Sequence, residues 1–385
     1  MRKYFEFYSG VKIKCGESAL MSLGEELTSL GCGAPLLLSS ANAVRLGATE
    51  KVLATLDKKT KKGVVTSELP AKTSQGIARE LKALYLKKNC DGIIAVGGDS
   101  VMESAKLLRL FLSQECEELI PLGMADQSAL KKIPLVMIPT ENGSGKEATG
   151  FLEMDDTFVS SRALTPDVVI IDEEVALTAP TRTDAACGMY ALANAIEASI
   201  GAEEEDPSDI YAEKAVRILN KNLEKALKDG ENEEACRAVA LAGTLAGIAY
   251  GNNPFGAAHA LAEALSEESG EPIEEMIGIA LAPAIKFAKA THEERIKPLL
   301  LALTDATTYS ETPDSERAQK AADAVRALSE RLRSIAGIPT KLSQTKIQRE
   351  AFGKIAEAAA NKRAAITAFK PLSKEDFLTI LNEAF

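Results

Sequence analysis

The feature that most limits the fold is a change of sequence period near Asp172. Before it, five short β-rich runs alternate with amphipathic helical stretches: PLLLSS (35–40), GVVTS (63–67), DGIIAVGG (91–98), IPLVMIPT (133–140) and DVVIID (167–172). Several are near-continuous apolar runs, which is how strands buried on both faces of a parallel sheet read. Strand and helix repeated in turn predict a Rossmann-like α/β unit built on a parallel sheet. Beyond LTAPTRTDAACGM no convincing strand pattern follows. Helical segments succeed one another over 184–200, 207–229, 232–250, 255–267, 273–290, 312–336, 346–361 and 374–384. Asp206-Pro207-Ser208, Asp229-Gly230 and Gly337-Ile338-Pro339 punctuate them. The chain therefore divides into an α/β domain over 1–178 and an all-helical domain over 179–385. A chain of 385 residues is long enough for two cores.

Composition narrows the function. A net charge of −11 argues against nucleic acid or an anionic membrane as the main partner, and leaves a small molecule. No apolar run approaches a bilayer span. The opening MRKYFEFYSGVKIK alternates charged with apolar residues and lacks a signal-peptide core. Six cysteines (Cys15, Cys32, Cys90, Cys116, Cys187, Cys236) are scattered without a CxxC pair, as expected of reduced thiols in a cytoplasmic protein. The only histidines are His259 and His292, too few for a His-rich zinc site.

In open parallel sheets, ligands lie beyond the carboxyl ends of the strands. After IIAV comes Gly97-Gly98-Asp99-Ser100-Val101-Met102-Glu103. Paired glycines let backbone approach a phosphate, and the next helix offers unpaired N–H groups. The same residues also read as a plain capping box from Ser100 to Glu103. After LVMI comes a second small, polar loop, Pro139-Thr140-Glu141-Asn142-Gly143-Ser144-Gly145-Lys146-Glu147-Ala148-Thr149. Two such loops from one sheet point to a dinucleotide pocket, although neither carries the G-x-G-x-x-G fingerprint. At the third end, Leu38-Ser39-Ser40-Ala41-Asn42, Ser40 either caps its helix or faces an adenosine ribose. It is not the acidic residue that selects NAD, so NAD and NADP both stay open.

One helical stretch stands apart. In GMYALANAIEA, Tyr190 and Asn194 are four residues apart and share a helix face that is otherwise small and apolar.

Taken in order, GGDSVMESAK, IPTENGSGKEATG, PDVVIIDEEVALTAP, CGMYALANAIEA, LAGIAYGNNPFGAAHALAEAL and GIALAPAIKF resemble the iron-dependent (group III) alcohol dehydrogenase family, over essentially the whole chain to EDFLTILNEAF. The resemblance implies a nucleotide-binding α/β domain followed by an all-helical domain, the dehydroquinate synthase-like arrangement. It also implies a cleft holding NAD(P), a divalent metal and an alcohol or aldehyde, and a homodimer. Gly97, Gly98, Ser100, Thr140, Ser144 and Thr149 would lie near the dinucleotide.

The chain departs from the family where the metal should be held. The Asp and His that bind it in the family fall on Tyr190 and Asn194. A further family His is kept as His259, and the last falls near Glu274, with a one-residue length difference. A non-ligand His beside the nicotinamide falls on Glu263. Asp99 stands where a third glycine is usual, and Lys146 where a small hydroxyl residue is usual. Amide and phenol are poor substitutes for carboxylate and imidazole toward iron or zinc, so a metal is doubtful. An oxygen-preferring ion on His259, Glu274 and the Asn194 carbonyl is the remaining metal option.

Without a metal, His259 and Tyr190 are the candidate proton donors. Glu263, at i+4 from His259, is the carboxylate that would favour a charged imidazole. Asn194 and Glu274 would line the substrate cleft. The main expectation is an NAD(P)-dependent oxidoreductase of a small alcohol, aldehyde or ketone, with the family metal site lost or altered. The alternatives are an inactive member serving as a binding or scaffolding protein, or another reaction in the same cleft.

Overall fold

The computed structural model describes residues 7–56, 65–66, 69, 73–114, 130–141, 144–154, 157–176, 180–201, 207–253, 256–366 and 371–385. Contacts divide the chain into a sheet unit, Ser9–Ala179, and a helical unit that starts at Pro180 and also takes in Phe7 and Tyr8. Phe7 stacks on Tyr211, and Tyr8 exchanges backbone hydrogen bonds with the Asn252 amide. These two residues therefore leave the 1–178 grouping drawn from the sequence.

The sheet unit contains strands β1 (Lys12–Cys15), β2 (Pro35–Ser39), β3 (Val65–Thr66), β4 (Gly92–Gly97), β5 (Leu135–Pro139), β6 (Phe151–Met154), β7 (Thr157–Ser160) and β8 (Val168–Ile171). Six of them form one sheet in the order β1-β8-β5-β4-β2-β3, and every pairing is parallel. The apolar runs read from the sequence are its buried middle: β2, β4, β5 and β8 are buried along their whole length. Leu37, Ile94, Val136, Ile138 and Ile170 share one core cluster with Leu23 and Leu27 of α1 (Leu23–Ser29) and Val52 of α3 (Ala48–Thr55). Between α1 and α3 lies the short α2 (Ala41–Arg45). Behind the sheet, α4 (Gln75–Lys87) and α5 (Asp99–Gln114) share a second cluster with Leu152 and Leu164.

Two elements carry no readable strand pattern. In β1 the lysines alternate with Ile13, and both Lys12 and Lys14 pair at 2.8 Å with the buried Glu26. The antiparallel hairpin β6–β7 pairs Phe151 with Ser160 and Leu152 with Val159. Of GVVTS only Val65 and Thr66 fall among the described residues.

In the helical unit, α6 (Thr181–Gly201) is buried on nearly every face, as its apolar composition requires. It packs against α7 (Ser208–Lys228), α8 (Glu233–Asn252) and α10 (Ile273–Ile296). The intervening α9 (Ala257–Ser269) packs on α10. The order continues with α11 (Leu299–Leu303), α12 (Ala306–Glu311), α13 (Asp314–Ala336), α14 (Phe352–Ala360), α15 (Arg363–Ile366) and α16 (Lys374–Ala384). His292 sits at a bend in α10 and is half-buried. Among the described residues Cys15, Cys32, Cys90, Cys187 and Cys236 are in no disulfide; Cys116 lies outside the described residues. Among the described residues no helix is long and apolar enough to cross a membrane.

Candidate active site

Strand order reverses between β2 and β4, the place where an open parallel sheet leaves a crevice at its carboxyl edge. Three strand ends meet there. The Ser40 amide donates to the Val96 carbonyl at 3.1 Å, and the Thr140 amide donates to the Gly97 carbonyl at 3.2 Å. Gly97 can only be glycine in this arrangement, because a Cβ would come within 2.7 Å of Val101 Cγ2. Ser40 takes the structural role left open by the sequence: its Oγ accepts the Ala43 N–H at 3.0 Å and caps α2.

The capping box does not form as read. Helix α5 begins at Asp99, so Ser100 lies inside its first turn, and the Glu103 carboxylate pairs with Lys146 at 3.3 Å. Lys146 also reaches Asp99 at 3.3 Å, and Ser144 Oγ donates to Asp99 at 2.5 Å. Beneath this loop the wholly buried Lys106 donates to the Lys146 carbonyl (2.6 Å), Thr149 Oγ1 (2.7 Å) and the Phe151 carbonyl (2.9 Å). Burial pushes the Lys106 ammonium down to about 7, against the pull of Glu103 and Glu147. The loop residues expected to face a dinucleotide thus come together, but Ser144 and Thr149 spend their hydroxyls on neighbours in the protein. The Glu141 side chain, which the sequence did not single out, packs directly on Gly98: a Cβ there would strike its carboxylate. Asn142 and Gly143 lie outside the described residues.

The helical unit holds a second constellation. His259 is 1 % exposed, in the first turn of α9. Its Nδ1 donates to Oε2 of Glu197, a carboxylate on α6 that is itself only 3 % exposed. Glu197 also accepts the backbone N–H of Ala258 at 2.7 Å and of His259 at 3.3 Å, so it caps the positive end of α9. Gly256 makes this approach possible, since a Cβ there would strike the same carboxylate. The Tyr250 ring stacks on the imidazole at 4.4 Å between centroids, and Tyr190 meets it edge-on at 5.1 Å. Burial, then the charge of Glu197, raises the Tyr250 phenol well above its usual range and keeps it protonated. The remaining imidazole nitrogen, Nε2, is buried without a hydrogen-bond partner among the described residues. A buried polar atom left this way calls for a ligand, a water or a proton-transfer role.

One expectation changes here. The carboxylate on His259 Nδ1 is Glu197; Glu263 is half-buried one turn further along α9, where its charge acts on Tyr250 and Arg363. Helix α9 starts at Ala257, close to the 255 read from the sequence; Asn253 ends α8 and donates its amide to the Ala198 carbonyl at 2.9 Å, and Pro254 lies outside the described residues. At the start of α10, Arg182 grips Glu275 through two 2.6 Å hydrogen bonds, while Glu274 beside it is half-buried. Asn194, 3 % exposed, follows Tyr190 by one turn of α6. Among the described residues no group of three or more His, Cys, Asp or Glu side chains gathers to hold a metal ion.

A parallel-sheet unit with glycine-rich strand ends, followed by a helical unit, defines a class of two-unit proteins of α/β-plus-helical fold. The family models make the class specific. Residues 10–173 match the iron-containing alcohol dehydrogenase model, and residues 184–385 match the C-terminal model of the Fe-containing alcohol dehydrogenase family. The chain belongs to the iron-containing alcohol dehydrogenase family, a family of oxidoreductases. It is 28 % identical over 357 residues to the choline dehydrogenase of Bacillus subtilis (strain 168), covering 86 % of this chain and 89 % of that protein. Its fold superposes on a crystal structure of 1,3-propanediol oxidoreductase with a TM-score of 0.89 at 24 % identity, over 100 % of both chains. It also superposes on sulfoacetaldehyde reductase from Bifidobacterium kashiwanohense in complex with NAD+, with a TM-score of 0.84 at 19 % identity, over 100 % of this chain and 99 % of that one.

Proposed function

We propose that this chain interconverts a small alcohol and its aldehyde or ketone with NAD or NADP, with proton transfer at His259 in place of the family metal. The observation that carries the reading is His259 itself: Nδ1 is tied to Glu197, and Nε2 is buried with no hydrogen-bond partner among the described residues. With Nδ1–H donated to the carboxylate, the neutral imidazole keeps its lone pair on Nε2. In oxidation Nε2 takes the hydroxyl proton of the alcohol; in reduction the imidazolium returns a proton to the carbonyl oxygen. Glu197 fixes the tautomer and offsets the charge that forms on the ring. Tyr190 and Tyr250 wall the imidazole, and the small alcohol named in relatives such as choline dehydrogenase supports a compact polar substrate.

The residues present do not fit iron or zinc. The sites of two family ligands hold a phenol and an amide, and His259 has a single nitrogen to offer. No step is therefore assigned to a metal. The glycine turn leads into the N-terminus of the sixteen-residue α5, a place suited to a dinucleotide phosphate once the Glu141 carboxylate over Gly98 has moved away. Gly97, Gly98, Ser100 and Thr140 would hold it, and the nicotinamide, when bound, gives or takes the hydride. The working assembly in this reading is a homodimer, as in the family.

The test is carbonyl reduction by NADH or NADPH before and after dialysis against chelator, beside His259→Gln. Turnover indifferent to chelator and reduced about 100-fold or more in His259→Gln supports the reading. Stoichiometric metal on the purified protein, with activity lost on chelation, sinks it. A folded protein that neither turns over nor binds either nucleotide is the scaffold instead.

A further inference from the structure

We propose that Glu141 is an internal anion seated in the phosphate cradle, and that it sets how tightly this chain holds a dinucleotide. The inference rests on the cofactor reading above.

Glu141 follows β5 directly, beside Thr140, whose amide is bonded to the Gly97 carbonyl. That bond brings the β5 end against the glycine turn, and the Glu141 carboxylate fills the space over Gly98 that the missing side chain leaves. This is the N-terminus of the sixteen-residue helix α5. A helix start favours an anion through its free N–H groups and its dipole. A carboxylate supplied by the chain is therefore in the kind of place a phosphate takes, and both cannot occupy it.

Nearby charge strengthens the exclusion. Lys146 is held between Asp99 and Glu103, and Lys106 donates to Lys146, Thr149 and Phe151. Asp99, Glu103 and Glu147 all act on Lys106, and the Glu141 carboxylate lies over Gly98. A pyrophosphate brings further negative charge into a region that already holds these carboxylates. Repulsion between like charges a few ångströms apart is strong in such partly buried surroundings. To bind, a dinucleotide must move Glu141 out and then tolerate the rest.

The experiment is a titration of the full chain with NADH and with NADPH, followed by nicotinamide fluorescence in a protein with no tryptophan, and checked by calorimetry. Wild type is compared with Glu141→Gln, which keeps the shape and removes the charge, and Glu141→Ala, which clears the space. ADP-ribose, which lacks the nicotinamide, is titrated calorimetrically to locate any gain in the phosphate region. Thermal unfolding of each variant confirms that it is folded. The expected result is a Kd at least about tenfold lower in both variants for the nucleotides and for ADP-ribose. If wild type binds a nucleotide and neither variant binds it more tightly, the Glu141 assignment is overturned while the cofactor reading stands. If no form binds either nucleotide, the cofactor reading falls and the Glu141 assignment falls with it.

Discussion

His259 and Glu197 lie 62 residues apart in the chain and meet as a buried pair, imidazole Nδ1 on carboxylate Oε2, at the start of α9. The carboxylate serves two structures at once. It closes the amide ends of α9 and fixes the ring of His259, so any change to it is felt in stability as well as in chemistry.

Glu197→Gln therefore lowers the unfolding free energy by about 2–3 kcal/mol, the loss expected when charge-assisted bonds to a helix end and an imidazole become neutral ones. Glu197→Ala costs more, because it also leaves the Ala258 N–H and His259 Nδ1 without an acceptor. Denaturant unfolding measures both. Equal stability of Glu197→Gln and wild type would show that the pair contributes no net energy.

The sheet was readable because β2, β4, β5 and β8 are buried on both faces and need continuous apolar runs. Edge strand β1 was not, because Lys12 and Lys14 serve Glu26 and break the apolar run. On α6, spacing alone put Tyr190 and Asn194 on one face, and Glu197, three residues after Asn194, belongs to that face too. A lone acid among small apolar residues was the signal that could have marked it. Its partner could not be read, since Glu263 satisfies the local i+4 rule for His259 and only tertiary packing brings α6 to the start of α9. Glu141 left no trace in the sequence: nothing in the spacing of a loop says which side chain folds back over Gly98.

Lys106 gives the fold a pH dependence of known sign. Burial lowers its pKa from 10.5 to about 7, so above pH 7 the unfolded chain binds more protons at this site than the folded one. Stability from this group therefore rises with pH above about 7, by up to about 1 kcal/mol per pH unit. The test belongs between pH 7 and 8.5, because the thiols of Cys32 and Cys236 and the phenol of Tyr85 are all raised by burial and turn the slope downward at higher pH. Urea midpoints should climb across this window in wild type more than in Lys106→Met. Parallel slopes would show that Lys106 stays charged in the folded protein, held by its three acceptors.

Gly188 separates packing from helix propensity. A Cβ at this position of α6 would lie 2.5 Å from Leu223 Cδ1 and 2.7 Å from Cδ2, in the contact with α7. Alanine would improve helix propensity by about 1 kcal/mol. Overpacking costs about 1–3 kcal/mol, so Gly188→Ala is expected to destabilise on balance. Leu223→Ala leaves space for the new methyl, so the double variant should be more stable than the two separate losses predict. Strict additivity would mean that the two side chains do not meet.

The proposed departure from the family's metal ligands can be tested by reversing it. Tyr190, Asn194, His259 and Glu274 all belong to the helical unit, and His259 already has one nitrogen oriented by a carboxylate and the other without a partner among the described residues. That is the state in which a metal-binding histidine is commonly held. Wild type offers a single strong ligand and should show no change in melting temperature with zinc or ferrous iron. The triple variant Tyr190→Asp, Asn194→His, Glu274→His adds a carboxylate and two imidazoles to it. At a free metal concentration of about 100 times Kd, binding to the folded state alone adds about 2.7 kcal/mol, which appears as a metal-dependent rise in melting temperature reversed by chelator. His259→Gln in the triple background should abolish that rise. A comparable rise in wild type would mean that His259 and its neighbours already hold an ion, and proton transfer at a free Nε2 would have to be abandoned.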